Sequence, residues 1–122
     1  MFTYKISTGE LTASNGVVSK GYSGAAGIGK NNPAEESVPD VGPIPEGEYT
    51  IQGPPFDTPT HGPFVLRLVP KPSNTMYGRS GFLMHGDSLL KPGTASEGCI
   101  IMSFTIRQAV WESGDTDLLV IA

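Results

Sequence analysis

The sequence contains one cysteine and two histidines in 122 residues. A single thiol excludes an internal disulfide and leaves the redox compartment open. Basic residues are few: 8 Lys and Arg, scattered singly, stand against 12 Asp and Glu for a net charge of −4. Without the basic stripe that phosphate contacts require, nucleic acid is not an expected partner. No apolar run approaches the length that spans a bilayer. The opening Met1-Phe2-Thr3-Tyr4-Lys5-Ile6 alternates like a strand and lacks a charged segment followed by an apolar one. No cleavable signal peptide is therefore expected, and the chain reads as made in the cytoplasm, with signal-independent export left open. One Cys, two His and a nearby Asp have no ligand-like spacing, so no metal is expected. Glycines 24, 27 and 29 lack the Gly-Lys-Ser/Thr and strand-to-helix context of a phosphate loop, and no cofactor is expected.

Abundant instead are 16 Gly and 11 Pro. With no collagen period and no low-complexity tract, they predict long ordered loops on one compact domain spanning residues 1–122. Residues 1–23 read as an antiparallel meander. Phe2 to Ile6 alternates, Thr8-Gly9-Glu10 turns, and Asn15-Gly16 signals a type I′ hairpin before Val17–Lys20. Residues 24–47 read as an ordered flap, since Gly27-Ile28-Gly29 and Val41-Gly42-Pro43-Ile44-Pro45 suit neither helix nor central strand. Strands are expected at Glu48–Ile51, Phe64–Val69, Gly81–His85, Gly98–Met102 and Asp117–Ile121, with a Pro-rich loop between the first two. One helix is expected, opened by a capping box from Thr105 to Gln108 and bearing Ile106, Ala109 and Val110 on its apolar face. The fold class is mainly β, sandwich- or barrel-like, with one C-terminal helix.

Chemistry concentrates at Ser96-Glu97-Gly98-Cys99-Ile100, fourteen residues after His85 in Leu83-Met84-His85-Gly86-Asp87. A free cysteine is ordinarily a buried small hydrophobe. Here Gly98 lets the chain turn sharply, so amides of Gly98 and Cys99 are placed to meet an oxyanion. An imidazolium beside the thiol would favour the thiolate, the reactive form. Ser96 either contacts substrate, orients the histidine or caps the loop. Asp87 is the nearest acidic orienter for His85, with a backbone carbonyl as the alternative. Tyr22, Arg79 and Arg107 are candidates for the cleft lining, Arg107 being read rather as solvated or structural. His61, in Pro59-Thr60-His61-Gly62-Pro63, reads as a surface loop residue.

Together, Tyr22-Ser23-Gly24, Asn31-Asn32-Pro33, Gly42 to Tyr49, His85-Gly86-Asp87, Ser96-x-Gly98-Cys99-Ile100 and Trp111 to Asp115 resemble the type VI secretion L,D-transpeptidase effector family. The likeness runs from about Tyr4 to Val120. It implies an L,D-transpeptidase-type fold and a cysteine enzyme, with Cys99, His85, Ser96 and Gly98 in the catalytic site and Asp87, Tyr22 and Arg79 at the substrate. It further implies L,D-carboxypeptidase action or D-amino acid exchange on peptidoglycan tetrapeptide stems in the periplasm of a target cell. A secretion apparatus and a cognate immunity protein are the implied partners. The broader L,D-transpeptidase pattern places a His before the Gly-Cys pair and an Arg two residues after the Cys. Glu97 and Ile101 occupy those places, so the resemblance leaves the grip on the substrate's carboxylates unassigned. Two other readings compete. A non-catalytic wall-binding or interaction module predicts an inert thiol. A cysteine hydrolase of the NlpC/P60 type usually has the Cys first and at a helix N-terminus, whereas here the His comes first and the Cys segment reads as strand.

Overall fold

The computed structural model describes residues 1–122. It is mainly β, a nine-stranded sheet with a single α-helix near the C-terminus. In chain order the strands are β1 (Phe2–Lys5), β2 (Glu10–Thr12), β3 (Val18–Lys20), β4 (Tyr22–Ser23), β5 (Gly47–Thr58), β6 (Gly62–Pro70), β7 (Leu83–His85), β8 (Ile100–Ile101) and β9 (Asp117–Ile121). Helix α1 (Phe104–Glu112) joins β8 to β9. Across the sheet the order is β3-β2-β1-β9-β5-β6-β7-β8-β4. The N- and C-terminal strands thus lie side by side in the middle, parallel to each other, while β5 pairs antiparallel with β9.

The alternation read from Phe2 to Ile6 buries Phe2, Tyr4 and Ile6, as a half-buried strand and its exit should. The hairpin after β2 forms, but its turn differs from the expected type. Asn15 does not take positive φ; the Gly16 amide donates to Ala13 O at 2.9 Å, and Gly16 alone is left-handed at φ 87°. A three-residue loop ending on a left-handed glycine replaces the two-residue I′ turn.

Two further expectations are corrected. The Pro-rich segment after Ile51 is not a loop: β5 continues through Gly53-Pro54-Pro55 with shifts of register against β6. Bulges tolerate proline because the ladder is already interrupted there. Gly53 is required for packing, since a Cβ would lie 2.2 Å from the Trp111 ring. The helix begins two residues earlier than a Thr105 cap allows. Ser103 is the N-cap, its Oγ accepting the Ile106 amide at 3.3 Å, which places Thr105 inside the first turn. Sixteen buried side chains form one core, including Tyr4, Tyr49, Leu66, Met84, Ile100 and Val110.

Residues 24–46 form an irregular loop with a short 3-10 turn at Pro33–Glu35. The β6–β7 pairing brings the start of β6, and with it the β5–β6 hairpin turn, to the end of β7 that carries His85. This placement decides the composition of the site.

Candidate active site

β7 and β8 run parallel, with Met84 opposite Ile100 and His85 opposite Ile101. Cys99, just before β8, is therefore level with Leu83, one side-chain repeat from His85, and both residues open into one cavity of about 540 Å³. The long loop contributes Pro39 and Asp40 to its wall, and the segment before β7 contributes Arg79 and Phe82.

His85 is 3% exposed. Its Nδ1 lies 2.8 Å from Gly86 O. A carbonyl only accepts, so Nδ1 carries the proton and Nε2 keeps its lone pair. Burial pushes the His85 pKa down, opposed by the Gly86 bond, with the neighbouring His61 and Arg107 pushing the same way as burial. Burial likewise pushes the Cys99 thiol up; the Leu83 amide and Arg79 oppose this, and Glu97 adds to it. Both shifts favour the uncharged forms, a thiol beside an imidazole, rather than the imidazolium expected to lower the thiol.

The turn preceding the thiol is held by hydroxyls. Ser96 Oγ donates to Cys99 O at 2.7 Å and accepts the amides of Gly24 at 2.9 Å and Gly98 at 3.1 Å. Ser23 Oγ donates to Gly98 O at 2.9 Å and accepts the Ile44 amide at 2.9 Å. Ser96 is thus occupied within the chain and is not among the residues lining the cavity: of the readings open for it, loop capping is the one its contacts match. Gly98 also departs from the expected role. Its amide is taken by Ser96, whereas the Cys99 amide donates to no acceptor in the chain. Gly98 is needed for its φ of 141° and because a Cβ would lie 2.6 Å from Arg79 Nη2 and 2.9 Å from Phe82.

The three residues assigned to substrate divide. Tyr22 and Asp87 are absent from the cavity lining. Tyr22 Oη donates to Asp87 Oδ1 at 2.6 Å and accepts the Ala95 amide at 2.9 Å, while Asp87 also accepts amides from Ser88 and Gly93. These bonds brace the 86–95 loop. Burial, and then the bond to Asp87, raise the Tyr22 phenol to about 12 against the Ala95 amide, while the bonds to Asp87 outweigh its burial and hold its carboxyl below the ordinary value. Arg79 does line the cavity, but its guanidinium is turned inward. Nη1 donates to Glu36 O and Pro43 O, both at 2.7 Å, and Nη2 to Gly42 O at 2.9 Å and Glu97 O at 3.1 Å.

Arg107 is structural, as one of its two readings had it. Buried to 3% exposure, it donates to Met102 O, Phe64 O and Pro63 O, tying α1 to the β5–β6 hairpin. That hairpin carries the residue sequence reasoning set aside. His61 is no isolated surface residue: it lines the cavity, its ring 4.7 Å from that of His85 and tilted by 58°. Being the second of only two histidines was the available signal. Ser23 was missed too, because two residues between glycines carry no strand signature. No group of His, Cys, Asp and Glu is arranged to hold a metal ion.

A family model described as the Tlde1 domain matches residues 17–116. The match takes in β4, the long loop, both histidines and Cys99. No curated protein matches the chain.

Proposed function

The chain belongs to the Tlde1 domain family of type VI secretion L,D-transpeptidase effectors, and from that premise we propose that it cleaves and exchanges peptidoglycan stem peptides through a thioester on Cys99. The observation that carries this is the meeting of Cys99 and His85 in one cavity, with the His85 tautomer set by Gly86 O. The thiol proton passes to His85 Nε2 while sulfur attacks the carbonyl of the third stem residue, diaminopimelate. The Cys99 amide donates to the resulting oxyanion; one such donor is typically worth ~3 kcal/mol. Collapse breaks the peptide bond, and His85 returns the proton to the departing D-alanine amine. Water then resolves the thioester to a tripeptide stem, or a D-amino acid resolves it by exchange.

Within this reading Ser96 and Gly98 are positioning residues for the nucleophile turn. Tyr22 and Asp87 shape the loop beside it, and Arg79 favours the thiolate by its charge. The site of action is the target cell's periplasm, reached through the secretion apparatus, and an immunity protein protects the producer.

Tetrapeptide muropeptides incubated with the protein and with Cys99→Ala, with and without D-methionine, test the reading by mass spectrometry. Loss of D-alanine, or its replacement by D-methionine, only with the intact thiol is expected. Unchanged muropeptides with folded protein would instead support a non-catalytic wall-binding module. The raised thiol favours that second reading, and it predicts that iodoacetamide labels Cys99 no faster than an ordinary buried thiol.

A further inference from the structure

We infer that His61 recognises the free carboxylate of the departing residue, so that the cavity selects stems ending in an unmodified amino acid. The inference rests on the peptidase reading above.

The basic side chains lining the cavity are His61, Arg79 and His85. Arg79 spends all four Nη hydrogens on backbone carbonyls, which leaves no fork to offer a carboxylate. Asp40 and Glu97 lie on the Arg79 side of the cavity and repel an anion there. His85 is committed to the proton of the thiol and the leaving amine. His61 is what remains, and its bonding suits the task. Its amide donates to Thr58 Oγ1 at 2.7 Å, and its Nδ1 lies 3.1 Å from Thr60 Oγ1 and 3.3 Å from Thr58 Oγ1. With a threonine hydroxyl donating to Nδ1, the proton sits on Nε2, which makes no hydrogen bond within the chain and is left to donate to a carboxylate.

The spacing agrees with the chemistry. In an amino acid the amine nitrogen and carboxyl carbon are only about 2.5 Å apart, by standard backbone dimensions. Whatever binds the carboxylate of the leaving residue must therefore sit beside the group that protonates its amine. His61 and His85, with ring centroids 4.7 Å apart, are such neighbours.

Two substrates test this: a disaccharide tetrapeptide ending in D-alanine, and the same compound ending in D-alaninamide, each assayed for release of its last residue. The wild-type protein should favour the acid by about tenfold or more in kcat/KM, the scale of one charge-assisted hydrogen bond. His61→Gln should bring that ratio to about one, mainly through KM for the acid, and His61→Arg should restore part of it. A wild-type protein indifferent to amidation overturns the assignment without need of any variant. So does a His61→Gln protein that keeps the wild-type ratio while losing rate on both substrates, since His61 would then serve His85 or the hairpin. Release of neither residue by folded wild-type protein sinks the peptidase reading itself, and this assignment with it.

Discussion

The cavity has two walls, each fastened by a buried arginine, and the two are fastened to different ends. On the loop side, Arg79 collects carbonyls from Glu36, Gly42, Pro43 and Glu97, joining a long irregular segment to the turn that bears the thiol. On the hairpin side, Arg107 collects Pro63, Phe64 and Met102, joining a tight β-turn to regular structure. The loop wall has little secondary structure of its own, so it relies on side-chain bonds, of which Arg79 supplies four and Ser23, Ser96 and Glu36 supply others. The hairpin wall is already held by the β5–β6 ladder. Similar chemistry therefore has unequal consequences: one arginine builds its wall, and the other trims it.

The largest expected effect is at Arg79. Its removal strands four carbonyls and frees both the 36–43 segment and the Glu97 turn. Arg79→Ala should lose about 4 kcal/mol in chemical denaturation, the scale of removing one partner of a buried charged network. Arg79→Lys should recover only a fraction, because one ammonium with three donors cannot span the four acceptors. The thiol should also become harder to ionise, since Arg79 lowers its pKa, and the pH profile of Cys99 alkylation should move upward. A variant that melts like the wild type would show that the long loop holds its shape unaided.

Next is Arg107→Ala, expected at about 3 kcal/mol because three carbonyls are stranded and the hairpin ladder persists. The signature that separates the walls lies in the histidines. Arg107 helps to push the His85 pKa down, so its loss should raise that pKa, visible in the imidazole NMR titration. Arg79→Ala should leave the His85 titration nearly in place. Equal movement of His85 in both variants would mean that the two walls are not separable.

How far this could be read beforehand follows from where each wall gets its shape. The meander of β1 to β3, the strand at β6, the terminal β9 and the helix announce themselves by local alternation or helical period. Cys99 and His85 stand out by residue type. What was hidden depends on pairing between distant segments. Tyr22-Ser23 becomes β4 only because Ile100-Ile101 arrives to pair with it. Ser23 reaches Gly98 by that register. His61 reaches His85 because β6 and β7 are antiparallel neighbours. The long β5 was obscured by prolines that bulges accommodate, and the helix cap was read late because Thr105 and Gln108 imitate a box that Ser103 supersedes. Arg79 could be named as a cleft residue, but no sequence pattern tells a guanidinium facing substrate from one facing four carbonyls.

The smallest effect separates the walls by the sign of their response to acid. On the loop side Glu36, which accepts the Glu46 amide at 3.1 Å, has its carboxyl raised to about 7 from 4.5, first by burial and then by the hydrogen-bonded Glu46 side chain. The folded protein holds this proton more tightly than the unfolded chain. Its contribution to stability is therefore full below about pH 4.5 and is lost as pH rises through about 7. On the hairpin side His85 is displaced the opposite way, below 6.5. Its contribution is full above that value and is lost as pH falls through its depressed folded pKa. Glu36→Gln, which cannot ionise but still accepts the amide, should melt like the wild type at about pH 4 and gain on it by about pH 8. His85→Asn should gain on the wild type in the other direction, as the solution is acidified. Measured as differences in Tm across that range, two curves of opposite slope keep the walls distinct. Parallel curves would mean that at least one of the two groups is not displaced in the direction its wall requires.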